Sequence, residues 1–184
     1  SGSGLQAERH RQMRQSIEYA RVIQEAMLDQ SRRLLARELR DSCLCWRPRD
    51  CVGGDYYACR TCANGWLLLL GDCTGHGVPG AFMTVILSSA LEKALTRCQP
   101  DQPQQLLQQI NGYIKQTLGQ QQAGQQTSLS NDGCDALALF IDNTGQRLVW
   151  AGARLSALVL AADGSEASWL GSDRMGVGYT DTPA

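Results

Sequence analysis

Absences narrow the reading of this chain first. No apolar run approaches the roughly 18–20 residues needed to span a bilayer. No charged segment leads into an apolar stretch with a small-residue cleavage site, so a secretory precursor is not expected. Net charge is only −1, which gives no overall case for nucleic acid or an anionic membrane surface as partner. Residues 5–40 contain neither Pro nor Gly. With 184 residues, 43% of them hydrophobic and 19% charged, the balance is that of one ordinary soluble domain.

The charge is unevenly spread. Residues 1–50 carry ten of the seventeen basic residues, all Arg, against seven acids. That block is expected to be a solvated helix face rather than a nucleic-acid site. The eight cysteines read as reduced, small buried hydrophobes of a cytosolic domain, since most fall in apolar strand-like runs. Cys43, Cys45, Cys59 and Cys62 offer an alternative, four sulfurs for a zinc-binding regulatory domain, although their spacing is not that of a standard knuckle.

Ser1–Gly4 reads as an artificial linker. Residues 5–40 are predicted to be a helix, with Ile17, Ala20, Ile23, Met27, Leu34 and Leu35 as an apolar stripe. Such a helix would be about 54 Å long and is expected to project or to pair with another. It is read either as a core-packing helix or as a signalling linker that dimerises the domain. Strands are predicted at Ser42–Arg47, Tyr56–Arg60 and Trp66–Leu70, the last two joined at Asn64-Gly65. Helices follow at Ala81–Arg97, with Phe82 and Val85 among its apolar positions, and at Pro103–Leu118. Gly119–Asn131 reads as a loop, and further strands are predicted at Asp135–Ile141, Arg147–Ala151, Leu155–Ala161 and Ala167–Leu170. Helices blocked between strands argue for an α+β sandwich rather than a doubly wound sheet.

Two aspartates on glycine-rich turns carry the chemistry. Asp55 ends Gly53-Gly54-Asp55, and Asp72 opens Asp72-Cys73-Thr74-Gly75-His76-Gly77. The predicted hairpin between them would return one beside the other. Glycine lets the main chain approach an ion, and the ligands on offer are oxygens, which suits Mg²⁺ or Mn²⁺ over Zn²⁺. Two such ions would serve in-line attack of water on phosphorus. Arg49 is a candidate for neutralising substrate phosphate. His76 either ties its loop to the following helix or acts as general acid. Asp132 and Asp135 flank a strand entrance and read as an Asx turn.

At these residues the chain resembles the PPM family of metal-dependent Ser/Thr phosphatases, in its bacterial SpoIIE/RsbU-type branch and its SiaA-type members. The likeness covers roughly Ser16 to Gly176, including Arg47-Pro48-Arg49-Asp50, Gly53-Gly54-Asp55, Gly71-Asp72, Val78-Pro79-Gly80-Ala81, Asp132-Gly-Cys-Asp135 and Trp150-Ala-Gly-Ala153. It implies an antiparallel β-sandwich flanked by helices, with two Mg²⁺ or Mn²⁺ ions held by Asp55, a bridging Asp72 and the main-chain carbonyl of Cys73. Gly53, Gly54, Gly75 and Gly77 would shape the loops. The implied substrate is a phosphorylated STAS-type anti-sigma-factor antagonist in a partner-switching circuit. The implied setting is the cytoplasmic side of an inner-membrane sensor, reached through an upstream segment and dimerised by the N-terminal helix.

The resemblance also implies a Thr-Asp-Gly aspartate and another acid nearer the C-terminus. Here Thr180-Asp181 is followed by Thr182, and about the last 60 residues of the domain are expected to be missing, which would leave activity weak or absent. A catalytically silent docking module is therefore the second reading.

Overall fold

The computed structural model describes residues 2–120 and 131–184. Its elements are helix α1 (Gly2–Glu38), strands β1 (Asp55–Cys62) and β2 (Gly65–Cys73), helices α2 (Gly77–Leu95) and α3 (Pro103–Leu118), and strands β3 (Cys134–Asp142), β4 (Leu148–Ala153), β5 (Ala157–Leu160) and β6 (Ala167–Leu170). The fold is α+β. An antiparallel sheet runs in the order β1-β2-β3-β4, with the helices packed on it, and β5 and β6 form a separate two-stranded sheet.

β2 sits between two partners, and its leucines make the centre of the molecule. Leu67 and Leu69 are fully buried, together with Leu87 and Leu91 of α2 and Leu106, Ile110 and Ile114 of α3. α2 corrects the expectation that no apolar stretch nears spanning length: by length and composition alone it would pass for a membrane span. Its Met83, Leu87, Ala90, Leu91 and Ala94 are spent on this core, while Phe82 and Val85, expected among its apolar face, are exposed. α3 matches its predicted bounds, with Pro103 in the first turn and Gly119 capping it in the left-handed region at φ 67°.

α1 is one continuous helix that includes Gly2–Gly4, residues expected to be linker. Several of its arginines pair along the helix itself, Arg11 with Glu8, Arg21 with Glu18 and Glu25, and Arg32 and Arg33 with Asp29. That accounts for the basic block as a solvated face. Burial begins only at Gln24, then Leu28, Ser31 and Leu35; Ile23 of the predicted stripe is exposed. The helix is fastened where Arg60 of β1 donates to Ser31 and pairs with Glu92 of α2 at 2.7 Å.

Two strand expectations need correction. Ser42–Arg47 forms no ladder; its contact with β1 runs through a side chain, the Trp46 indole donating to the Asp55 carbonyl at 3.1 Å. The β1–β2 turn is Ala63-Asn64 rather than Asn64-Gly65, because Gly65 already pairs with Cys62 and with Asp142. Of the predicted loop Gly119–Asn131, residues 121–130 lie outside the described residues.

Candidate metal centre

Strand register builds the site. Asp55 lies directly opposite Asp72, and Asp72 directly opposite Asp135 on β3. Cross-strand partners project to the same face, so three carboxylates stand in one row across three strands. Cys73 N–H donates to the Gly54 carbonyl at 2.9 Å, which makes the neighbouring Asp55–Asp72 pair a narrow, non-hydrogen-bonded one, with Cα atoms about 4.5 Å apart. Asp55 and Asp72 border a cleft of about 250 Å³ closed by Leu44, Cys45, Trp46 and Leu155.

Like charges so placed resist ionisation. Burial, then the Asp72 charge, holds the Asp55 carboxyl above its usual range. Asp135 is raised as well, chiefly by burial, with Arg154 opposing and Asp72 adding to the shift. Asp135 Oδ1 is buried and has no hydrogen-bond partner among the described residues, and Arg154 Nε stands 3.5 Å from it.

A hard divalent cation fits these donors. The row supplies only oxygens, one of them buried and unmet, and the adjoining turns bring bare carbonyls beside it. A Cβ on Gly54 would sit 2.8 Å from the Cys73 carbonyl oxygen and 2.9 Å from that of Gly75, so glycine is needed for this approach. Gly75 (φ 85°) and Gly77 (φ 59°) take left-handed conformations that shape the loop into α2. Among the described residues no three His, Cys, Asp or Glu side chains close into a ready-made cage.

The other expected residues divide. Gly53 is gripped by the buried Gln24 of α1, which accepts from its N–H at 3.1 Å and donates to its carbonyl at 2.8 Å; the same amide donates to Thr84 of α2 at 3.2 Å. His76 precedes α2 and is hydrogen-bonded through Nδ1 to Asp50 at 2.8 Å, joining the loop before β1 to the one after β2. Arg49 is exposed. Cys73, besides its carbonyl, brings its sulfur within 2.9 Å of Cys134. Of the four cysteines considered for zinc, Cys59 is buried with Leu35 and Trp66, Cys62 bonds to Asn64, and Cys43 and Cys45 are exposed. Asp181 belongs to a terminal segment strapped to α3, where Asn111 donates to the Pro183 carbonyl and Lys115 to that of Thr182.

Sequence reasoning puts Asp135 at the head of this strand but reads it, with Asp132, as part of an Asx turn. It pairs with Asp72 in the ladder instead, and Asp132 plays the loop part, accepting from Thr74 Oγ1 at 2.9 Å. The alternation along Cys134–Asp142 carried the signal, since it puts Asp135 on the face that Asp72 shares.

Comparison with known proteins identifies the fold and the family. A family model described as SpoIIE, Stage II sporulation protein E, matches residues 63–183. The solved structure of the "SiaA-PP2C domain of Pseudomonas aeruginosa" superposes with a TM-score of 0.80 at 31% identity, covering 94% of this chain and 65% of that one. The chain thus spans somewhat less than two-thirds of that relative's length. A second structure, from work on "The bacterial stressosome", shares the fold at a TM-score of 0.51 and 18% identity over 72% of this chain and 60% of its own. No curated protein matches.

Proposed function

The chain belongs to the SpoIIE family of PPM-type phosphatases, and on that premise we propose that it carries the catalytic centre of a Mg²⁺- or Mn²⁺-dependent Ser/Thr phosphoprotein phosphatase. The observation that carries this reading is the direct pairing of Asp55 with Asp72 at the mouth of a cleft. Asp55, Asp72 and the Cys73 carbonyl would hold the ions. Two divalent cations bound there supply Lewis-acid charge that polarises phosphate and acidifies water.

The protein's own share of the work is positioning. Asp72, fixed between two ladders, keeps one carboxylate in the middle of the row. Trp46 and Leu155 wall the cleft beside the paired aspartates. His76 is engaged with Asp50, which favours its loop-tying role. The substrate class we propose is a phosphorylated STAS-type regulatory protein, presented to the cytoplasmic side of a membrane sensor. The exposed first half of α1 is proposed as the dimerising, signal-receiving arm. Gln24 links that arm to the Gly53 turn, so movement of α1 would be felt at Asp55 two residues on.

The test is hydrolysis of a Ser-phosphorylated STAS protein with Mn²⁺, compared with Asp72→Ala. Loss of a centre of this kind is expected to lower turnover by at least about a hundredfold, in the range seen when a principal electrostatic catalyst is removed. Turnover that survives the substitution would refute the mechanism, and binding without turnover by the parent chain would favour the docking reading.

A further inference from the structure

We propose that Asp135 is a working third carboxylate of the centre and that Arg154 is its built-in competitor, so that the guanidinium and a divalent cation contend for the same oxygen. The inference rests on the phosphatase reading above and extends it to two residues outside the paired aspartate motifs.

Asp135 shares a face with Asp72 by direct register, and its buried Oδ1 has no hydrogen bond among the described residues. Arg154 Nε, at 3.5 Å, is too far to provide a good one. The pair neutralises charge without saturating the carboxylate, and an unmet buried oxygen of this kind asks for a functional explanation.

Arg154 is also placed at a cost. It is the only non-glycine residue with positive φ (61°) among those described, a conformation that a bulky side chain rarely adopts. It sits just past the end of β4, bridged to Ala136, with its N–H donating to the Asp173 carbonyl at 2.9 Å. Its guanidinium lies 5.8 Å from the centroid of the Tyr179 ring. Three separate contacts thus hold a strained residue where its cation meets the acidic row. Half the side chain remains exposed, so it can swing away when a stronger cation arrives.

The experiment is a Mn²⁺ titration of this chain followed by water-proton relaxation, with thermal unfolding recorded on the same samples, for the parent, Asp135→Asn, Arg154→Ala and Asp55→Asn. Asp135→Asn is expected to weaken Mn²⁺ binding by about tenfold or more. Arg154→Ala is expected to tighten it, the opposite sign, because the competitor is gone. If the pair is merely structural, both variants lower the unfolding temperature and leave Mn²⁺ affinity unchanged, which overturns the proposal. Should Asp135→Asn fail to fold, the sign of the Arg154→Ala effect decides. Asp55→Asn separates the two levels of the reading. If it weakens Mn²⁺ binding while the other two change nothing, the metal centre stands and this inference falls. If it too changes nothing, the metal centre itself is refuted.

Discussion

The two antiparallel sheets of this chain use the same backbone pairing to opposite ends. In the β1–β2–β3 ladder, Leu67, Leu69 and Phe140 are sealed from water, and α1, α2 and α3 close around the strands. In the β5–β6 ribbon the register is equally regular, yet Leu158, Val159, Leu160 and Trp169 are exposed, and among the described residues no helix packs closely on the ribbon. Pairing sets which residues face one another; burial decides how firmly they stay there. Like charges are tolerable only in the first setting, where many buried side chains oppose the repulsion of the aspartate row.

That contrast can be broken most forcefully from within. Phe140→Ala, in a fully buried position, is expected to cost about 3–5 kcal/mol, seen as a large drop in the urea midpoint. Gln24→Ala leaves the Gly53 N–H and carbonyl without their side-chain partner. It should cost about 1–3 kcal/mol and reduce phosphatase activity alongside, measured by unfolding and by turnover.

Asp55→Asn should act in the opposite direction on stability. The folded-state carboxyl is raised above its unfolded value, so ionisation works against folding at neutral pH, and that penalty disappears as pH falls toward about 4. The variant is therefore expected to unfold at a slightly higher temperature than the parent at pH 7, by an amount worth about 1 kcal/mol or less. The gap should close on acidification. A gap that widens instead would contradict the assigned repulsion. The smallest effect belongs to the ribbon: Leu160→Ser is expected to change stability by no more than about 0.5 kcal/mol, because its side chain is already in water.

Much of this architecture was legible in the sequence because its signals were local. The Gly-Gly-Asp and Asp-Cys-Thr-Gly turns, the helix opened by Pro103 and the strand at Ala167–Leu170 all rest on neighbouring residues. What was lost depended on partners far along the chain. Asp135 headed a predicted strand and read as part of an Asx turn, until β3 was laid against β2 and set it opposite Asp72. Ser42–Arg47 had strand composition and found no ladder, only the Trp46 indole on Asp55. Phe82 and Val85 fitted an apolar helix face, but the sheet took Met83 and Leu87 instead. Gln24 gave no warning of itself within a run of polar helix residues; its importance comes from the Gly53 turn lying within reach.

The consequence of Gly65 is felt at the opposite end of its strand. A side chain there would collide with the Ile141 carbonyl and the Phe140 ring, so only glycine lets β2 slot between its neighbours at this offset. Asp72 is seven residues further on, about 24 Å away. A slip of one place at the turn would send its carboxylate through to the wrong side of the sheet. The alignment of the aspartate row is thus calibrated at a distance, by a position outside the cleft, and variation there would dismantle the row while every acid remained in the sequence.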